Sequence, residues 1–376
     1  MLFDETIVTR AERTAFTLRS LYRRYGYIPY RMGKFEEYDL YSRNKDFLVS
    51  DSVITFTDTS GRLMALKPDV TLSIAKNYRD DPNTTEKLYY DENVYRFDRG
   101  SGSFREIRQA GLECIGVLDP AAAGEVLMLA ARSLEAVSAD YVLDLSHIGI
   151  LSAVLDQISA DPALQDELLE LAGEKNLHGI RSVTRANGIP ADKGDLLIRL
   201  LSLYGEPEKV LPEIGTIAEA AGASEGFGFF RQALSVFTAE GSAGKIRVDF
   251  SVTGDRNYYN GLIFKGFIAG LPAAVLSGGQ YGNLMRRLGK KAGAAGFAVY
   301  LDSLEQLDAT PSATDFDVFL IYGDDAGPEE VMSAVEALQK EGMTVRTGRA
   351  ASPGVRTGRT GVLEKGGITW QEQTEY

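Results

Sequence analysis

Residues 147 to 243 constrain this chain most, because they read as consecutive helices in a sequence that is otherwise rich in predicted strands. Apolar residues there recur at helical spacing, and Gly, Pro or Asn separates one run from the next. Strand patterns precede this stretch and return at 246–252, 262–268, 273–276 and 296–301. The two flanking parts must pair with each other to complete a sheet. The sequence therefore predicts an α+β fold, an antiparallel sheet flanked by helices and interrupted by a helical insertion.

The part before the insertion carries clear helix and hairpin signals. Thr9 and Glu12 predict a capping box that opens a helix ending near Gly26. Alternating apolar and polar residues then predict two hairpins, one over 53–66 and one over 87–117. These elements supply the first half of the predicted sheet.

A smaller unit follows a predicted linker at residues 309–314. Its first elements form a β-α-β start, with strands over 317–322 and 343–346 around a helix over 328–339. The Gly-, Arg- and Thr-rich residues 346–367 lack the apolar periodicity of a parallel strand, and we expect a solvated segment there. The predicted domains are the first core part, the insertion, the second core part and a short α/β C-terminal unit, at 1–146, 147–244, 245–310 and 315–376.

Composition excludes several kinds of protein. Cys114, His147 and His178 are the only Cys and His residues, so neither an intrachain disulfide nor a Cys/His metal framework is expected. We expect Cys114 to be a small core residue and His147 to make a local hydrogen bond. The net charge of −13 argues against nucleic acid as a partner. The sequence contains no long apolar run and no apolar signal segment, so we expect no membrane span and a cytoplasmic protein.

One predicted strand carries an unusual set of side chains. Period-two alternation places Gln109, Gly111 and Glu113 on one face, between Ile107 and Ile115. Gly111 leaves a gap between an amide and a carboxylate in which a small polar ligand could lie. The alternative is a solvated sheet face with polar residues and no ligand. Elsewhere, Asp69 and Thr71 follow a strand end, and the pair Tyr258 and Tyr259 precedes another strand.

In this order, these segments resemble the core of class II aminoacyl-tRNA synthetases, specifically the histidyl branch, over residues 1–310. The resemblance rests on Arg96 with Asp98, on Gln109-Ala110-Gly111-Leu112-Glu113, on Pro68-Asp69-Val70-Thr71 and on Tyr258-Tyr259. It implies that Asp69, Thr71 and Gln109 hold the α-amino group of histidine. It also implies that Glu113 and one of the tyrosines, Tyr258 or Tyr259, hold the imidazole, with Arg96 in the same site. A neutral imidazole has one N–H donor and one acceptor nitrogen, which suits a carboxylate and a hydroxyl.

The departures from that family concern its nucleotide chemistry. Gly254 and Ser303 stand where the synthetase has arginines, and Gly33 lies near the place of its first-motif proline. The family's Gly-Gly-Arg-Tyr-Asp segment has Gln280 and Gly282 in place of its Arg and Asp. Activation of an amino acid by ATP needs cations against the phosphates, and their loss costs orders of magnitude in rate.

This combination resembles the family of ATP phosphoribosyltransferase regulatory subunits, which are synthetase paralogues. The resemblance implies a non-catalytic protein with no cofactor that binds L-histidine. It also implies a homodimer within a hetero-octamer with the short catalytic subunit, and a role in feedback at the first step of histidine biosynthesis. Two alternatives remain open from the sequence: a divergent histidyl-tRNA synthetase, and a stand-alone histidine-binding module.

Overall fold

The computed structural model describes residues 8–45, 48, 52–81, 84–98, 100–240, 243–256, 258–308, 314–350, 354–365 and 367–371. The chain divides into two compact units, Met1–Leu307 and Asp308–Tyr376. The predicted linker, residues 309–314, lies outside the described residues except for Thr314.

Helices account for most of the first unit outside its central sheet. The predicted capping box is confirmed, since the Thr9 side chain accepts from the Glu12 N–H and the Glu12 side chain accepts from the Thr9 N–H. The helices of this unit are α1 (Arg10–Arg24), α2 (Tyr38–Ser42), α3 (Thr71–Asn77), α4 (Pro120–Glu135), α5 (Ile148–Ile158), α6 (Pro162–Gly173), α7 (Leu177–Ala186), α8 (Ala191–Ser202), α9 (Pro207–Ala220), α10 (Ser224–Glu240) and α11 (Gly282–Arg287).

The strands of the first unit form two sheets. Their bounds are β1 (Ile28–Pro29), β2 (Phe35–Glu37), β3 (Thr55–Thr57), β4 (Leu63–Leu66), β5 (Glu86–Asp98), β6 (Ser103–Gly116), β7 (Tyr141–His147), β8 (Tyr204–Gly205), β9 (Ile246–Asp249), β10 (Leu262–Ile268), β11 (Leu276–Gln280) and β12 (Gly293–Tyr300).

Within the described ranges, nine strands form the central sheet, in the order β1-β5-β6-β12-β11-β10-β7-β9-β8. The predicted antiparallel pairing holds through its centre, from β5 to β7. The pairs β1–β5 and β7–β9 are parallel, so the sheet is mixed. A parallel pair needs a long crossover connection, and the helices α5 to α10 provide one between β7 and β9. A smaller sheet of order β2-β4-β3 contains the first predicted hairpin.

The helical insertion shares the core of the sheet. One hydrophobic cluster contains side chains from both, including Leu112 of β6, Leu155 of α5, Ile214 of α9 and Phe297 of β12. A second cluster covers the other face of β5 and β6 with residues of α3 and α11. The two clusters lie on opposite faces of one sheet. Polar side chains of β6 that face α3 are therefore buried and shielded from water.

The second unit corrects one expectation from the sequence. Its elements are β13 (Phe316–Tyr322), α12 (Pro328–Lys340), β14 (Val345–Gly348), β15 (Thr357–Glu364) and β16 (Gly367–Trp370), with sheet order β14-β13-β15-β16. The expectation of a solvated segment over 346–367 is wrong, because β14 and β15 both pair with β13 in parallel. Gly361 fits in β15 because it has no Cβ, which leaves room for Ile368 and for the Trp370 ring. A Cβ at Gly361 would lie 2.6 Å from Ile368 Cγ2.

Candidate functional site

The candidate site lies where β6 faces α3, and it begins with the two polar residues of that strand. Gln109 and Glu113 share one face of β6, and their side chains are 2% and 1% exposed. Cys114 lies on the opposite face within the main core, as the alternation predicted. Two buried polar side chains on one strand face must find partners or bind a ligand, because an unpaired buried polar group is destabilising.

Glu113 receives two short hydrogen bonds from hydroxyl groups. Thr71 Oγ1 donates to Glu113 Oε1 over 2.6 Å, and the Tyr281 hydroxyl donates to Glu113 Oε2 over 2.6 Å. Gly296 is the residue opposite Glu113 on β12. A Cβ at Gly296 would lie 1.8 Å from Glu113 Oε2, so the carboxyl group fits only beside a glycine.

Burial changes the acidity of this carboxyl group. Desolvation raises the pKa of Glu113 to about 8, against the opposing effect of the Thr71 and Tyr281 hydrogen bonds, and nearby Asp69 raises it further. At neutral pH the ligand-free protein therefore holds Glu113 mainly as a neutral acid.

Asp69 and Arg96 form the second polar group of the site. Asp69 Oδ1 accepts from the backbone N–H of Leu72 over 2.7 Å, in the first turn of α3. Arg96 Nη2 lies 3.6 Å from Asp69 Oδ2, and Arg96 Nε donates to the carbonyl of Pro68 over 2.8 Å. Burial raises the pKa of Asp69, while Arg96 lowers it. Arg96 is thus already engaged by Pro68 and Asp69, which precede α3.

The other end of α3 is held by a lysine. Lys290 Nζ donates to the carbonyl oxygens of Ala75, Lys76 and Tyr78, at distances of 2.6, 2.7 and 2.5 Å. Cations stabilise a helix C-terminus, where the last carbonyl groups have no partner within the helix. Lys290 therefore fixes the helix that carries Thr71.

Three tyrosine rings pack beside Glu113. The ring centroids of Tyr258 and Tyr259 are 4.6 Å apart, and those of Tyr258 and Tyr281 are 5.9 Å apart. The Thr71 side chain lowers the pKa of the Tyr258 hydroxyl, against the larger effect of burial. Burial raises the pKa of all three hydroxyl groups well above the usual value, so they remain neutral hydrogen-bonding groups.

All seven residues predicted from the sequence line one cavity of about 240 Å³, here called the central cavity. They are Asp69, Thr71, Arg96, Gln109, Glu113, Tyr258 and Tyr259. Among the described side chains, Gln109 Nε2 is a buried donor without a hydrogen-bond partner. The structure thus brings the seven residues together around one cavity.

The gap expected beside Gly111 is filled by a protein side chain. Tyr90, the residue opposite Gly111 on β5, fills that gap, and a Cβ at Gly111 would lie 2.5 Å from the Tyr90 hydroxyl oxygen. The central cavity lies further along the face, between Glu113, Asp69 and the tyrosines.

Sequence reasoning missed several residues of the wall, among them Tyr90, Ser277, Tyr281 and Tyr300. Tyr281 lies directly after Gly278-Gly279-Gln280, the segment in which Gln280 stands for the family's arginine. The glycines themselves were a usable signal, because they belong to β11 and leave room for neighbouring groups. A Cβ at Gly279 would lie 2.7 Å from the Tyr259 ring.

The positions of the missing arginines hold no replacement cation. A Cβ at Gly254 would lie 2.4 Å from Ile263 Cδ1 and 2.9 Å from Tyr259 Cδ2, so there is no room for a side chain. The side chain of the nearby Arg256 faces the helical insertion, where it donates to Gln165 over 2.7 Å and to Asp166 over 2.6 Å. Among the described residues that line the central cavity, Arg96 is the only cation.

The remaining chemistry of the described residues is limited. They contain no group of three or more His, Cys, Asp or Glu side chains arranged to hold a metal ion. None of the helices they form is both long and apolar enough to cross a membrane. His147 caps α5, since its Nδ1 accepts from the backbone N–H of Ile150 over 3.3 Å, and burial lowers its pKa to about 4.

Comparison with known proteins gives a consistent family. The model of the histidyl-tRNA synthetase family matches residues 4–304. The ATP phosphoribosyltransferase regulatory subunit of Caldanaerobacter subterraneus subsp. tengcongensis is 30% identical over 76% of this chain and 75% of the relative. The protein of the same name from Alkaliphilus metalliredigens is 28% identical over 87% of this chain and 85% of the relative.

Solved structures show the same fold. An ATP phosphoribosyltransferase regulatory subunit/histidyl-tRNA synthetase from Bacillus halodurans C superposes with a TM-score of 0.73, at 23% identity, over 90% of this chain and 88% of that one. Histidyl-tRNA synthetase from Nostoc sp. PCC 7120 gives a TM-score of 0.68, at 18% identity, over 90% and 82% of the two chains. A chain of the ATP phosphoribosyl transferase complex from Thermotoga maritima gives 0.60, at 18% identity, over 80% and 98%. The chain belongs to the histidyl-tRNA synthetase family, and within it to the ATP phosphoribosyltransferase regulatory subunits.

Proposed function

We propose that this chain is the non-catalytic regulatory subunit of an ATP phosphoribosyltransferase, which binds L-histidine and reports its presence to a short catalytic subunit. The observation that carries the proposal is the set of polar side chains in the wall of the central cavity. Its wall contains the carboxyl groups of Asp69, Glu113 and Asp255 and, among described residues, the single cation Arg96. Such a wall suits a ligand with basic groups and is unsuited to a triphosphate.

The arrangement of polar groups supports histidine as the ligand. Asp69 offers a carboxyl group, in a side chain that is 15% exposed, for an α-ammonium group, and Gln109 offers a further hydrogen-bonding amide. Glu113 and the hydroxyl groups around it offer both an acceptor and a donor for an imidazole ring. The cavity volume of about 240 Å³ accommodates an amino acid of this size.

The synthetase reaction lacks its electrostatic partners in this cavity. Arg96 is engaged by Pro68 and Asp69, Arg256 faces Gln165 and Asp166, and Gly254 has no space for a side chain. A developing charge on the α-phosphate would thus meet no free cation from these positions. A cavity that binds an amino acid without activating it is useful when its occupancy changes the activity of another protein.

The partner we propose is the short catalytic subunit of ATP phosphoribosyltransferase. Four copies of it would assemble with two homodimers of this chain in a hetero-octamer at the first step of histidine biosynthesis. The names of the relatives support this partner, and the stoichiometry follows the family resemblance.

The decisive experiment combines this chain with the short catalytic subunit from the same source. We expect one large complex in light scattering, a catalytic rate that rises on assembly, and inhibition of that rate by histidine. Glu113→Ala should assemble and activate but lose most of the inhibition. If the two proteins neither assemble nor change the rate, a stand-alone histidine-binding module becomes the better account.

A second assay separates the proposal from a divergent synthetase. We expect no histidine-dependent exchange of pyrophosphate into ATP and no charging of tRNA above a control without protein. Exchange at a measurable rate would contradict the non-catalytic role.

A further inference from the structure

Two tyrosines of the central cavity belong to a loop between β9 and β10. We call residues 253–256 and 258–261 the tyrosine loop, and they form neither helix nor strand. The rings of Tyr258 and Tyr259 line the cavity from this loop. Since no ladder of helix or strand hydrogen bonds fixes the loop, the positions of the two rings depend on the elements that contact it from outside.

Within the loop, one carbonyl group is bonded to both tyrosines. The carbonyl oxygen of Asp255 accepts from the backbone N–H of Tyr258 over 3.0 Å and from that of Tyr259 over 2.9 Å. Asp255 also lines the central cavity. A displacement of the backbone at residues 255–256 is therefore passed directly to both tyrosines.

Residues of α11 hold one side of the tyrosine loop. Asn283 Nδ2 donates to the carbonyl oxygens of Arg256 and Tyr259, over 2.7 and 3.2 Å. Asn260 Oδ1 accepts from the backbone N–H of Gly282 over 2.8 Å. These bonds attach the loop to the start of α11, and the opposite side of the loop faces the helical insertion.

The Arg256 side chain joins the loop to the insertion. Its Nη1 donates to Gln165 Oε1 over 2.7 Å and its Nη2 donates to Asp166 Oδ1 over 2.6 Å, near the start of α6. Gln165 is itself fixed, because its Nε2 donates to Asp156 Oδ1 over 2.8 Å and to the carbonyl oxygen of Ser159 over 2.7 Å. A guanidinium group is a rigid planar fork, so two acceptors in set positions determine where it lies.

The rest of α6 follows the chain that leads into the loop. A Cβ at Gly173 would lie 2.8 Å from Thr253 Oγ1, and Lys175 Nζ lies 2.7 Å from Asp249 Oδ2. With the bonds of Arg256, the helix and the turn after it contact this part of the chain at three points. A groove of about 680 Å³ lies between α6 and the loop. The two elements are therefore joined by separate contacts with open space beside them.

We propose that Arg256 is a positioning residue of the histidine site, through which the helical insertion sets the affinity of the central cavity. Arg256 is not one of the residues that line this cavity, and it acts by holding the tyrosine loop at α6. The inference rests on the proposed histidine site and adds a means of regulating it. A partner that moves the start of α6 changes histidine affinity, and histidine changes the free energy with which α6 is held by the same coupling.

Titration calorimetry with the full-length chain and L-histidine measures the affinity of the wild type and of three variants. We expect Arg256→Ala to bind histidine at least about fivefold more weakly, the lower end of the usual coupling between two sites. Arg256→Lys keeps the charge and can bond to one of the two acceptors, so its affinity should lie between those of the wild type and Arg256→Ala. Arg199→Ala is the matched control, because Arg199 is an arginine of the insertion that bonds to Glu213 and should leave the affinity unchanged.

Hydrogen exchange followed by mass spectrometry distinguishes positioning from a general loss of stability. Saturating histidine should slow the exchange of α6 amides in the wild type, because an occupied cavity holds the tyrosine loop and with it Arg256. In Arg256→Ala this protection of α6 should be lost. The internal control is α8, which packs against α5 and α7 in the same insertion and should not respond to histidine. A residue that only stabilises the fold would leave the histidine-dependent protection of α6 as in the wild type, and that result overturns the inference.

The outcomes separate this inference from the histidine site itself. An affinity of Arg256→Ala within about twofold of the wild type overturns the positioning role and leaves the histidine site intact. If the wild type binds no histidine, the histidine site fails and the inference fails with it. If Arg256→Ala does not fold, hydrogen exchange of the wild type decides alone. Slower exchange of α6 with histidine then supports the inference, and equal exchange with and without histidine overturns it.

Discussion

The hydroxyl of Tyr281 donates to Glu113 Oε2 over 2.6 Å and thereby joins the residue between β11 and α11 to β6. In the sheet, β12 lies between β6 and β11, and Gly296 of β12 leaves the space that the Glu113 carboxyl group occupies. The acidity and the orientation of the Glu113 carboxyl group therefore depend on a residue that is distant in sequence.

Replacement of that hydroxyl gives the first prediction. Tyr281→Phe should weaken histidine binding by roughly 1 to 3 kcal/mol, because a buried carboxyl oxygen loses its donor. The measurement is the histidine-dependent rise in melting temperature, which any ligand of the native state produces. Tyr300→Phe is the matched control, since Tyr300 also lines the cavity but pairs with Ser277 over 2.6 Å. Equal losses in both variants would contradict a specific role for Tyr281.

The second prediction concerns the stability of the ligand-free protein. The folded pKa of Glu113 is about 8 and the reference value is 4.5, so the folded chain binds this proton more tightly. Its contribution to stability is complete below pH 4.5 and is lost as the pH rises towards 8, by at most about 1.4 kcal/mol per unit. Glu113→Gln should therefore become more stable relative to the wild type by roughly 1 to 3 kcal/mol between pH 5.5 and 8.

Denaturant unfolding at both pH values measures this difference. Glu305→Gln removes an exposed carboxyl group in the same unit and should leave the pH dependence of the wild type unchanged. A constant difference between Glu113→Gln and the wild type at both pH values would show that Glu113 does not change its ionisation on folding.

Acid should destabilise the protein through His147. Burial lowers the pKa of His147 to about 4, against 6.5 for the reference value, so the neutral ring stabilises the fold fully above pH 6.5. That contribution is lost as the pH falls through 4. His147→Asn keeps an acceptor at the cap of α5 and should reduce the loss of stability between pH 6.5 and 4.5. The exposed His178→Asn is the control and should leave this loss as it is in the wild type.

Gly254 provides the fourth prediction. Gly254→Ala should lower the free energy of unfolding by roughly 1 to 3 kcal/mol, because its Cβ would overlap Ile263 and Tyr259. Gly228→Ala is the matched control, since a Cβ there would meet nothing within 4 Å. In the helix α10 this change should stabilise the protein by about 0.5 to 1 kcal/mol. Chemical unfolding of both variants gives the comparison. An unchanged free energy of unfolding for Gly254→Ala would mean that the loop around Gly254 moves to accommodate the Cβ.

The sequence was sufficient to predict those features of the fold that follow from local periodicity. Alternation along β6 placed Gln109 and Glu113 on one face and Cys114 on the other, and the helical run over 148–240 was clear from its spacing. The convergence of Asp69 and Tyr258 on Glu113 came from the family resemblance, because no local pattern brings distant segments together.

Register and long-range packing explain what the sequence did not reveal. The position of Tyr90 opposite Gly111 depends on how β5 pairs with β6, and this filled the expected gap. In the second unit, Ile368 and Trp370 of β16 cover Gly361 of β15. The apolar side chains on that part of the sheet therefore come from the following strand. Residues 357–364 contain few apolar residues, so their sequence alone does not show the pattern of a strand.

The packing around Gly254 also limits which side chains this position can accept. Tyr259 and Ile263 now occupy the space in which a side chain at position 254 would begin. A single change from glycine to arginine would have to displace both neighbours before the new side chain could extend into the cavity. Such a variant would be less stable than the wild type unless smaller side chains first replaced the tyrosine and the isoleucine. The packing around position 254 thus favours glycine over any larger residue.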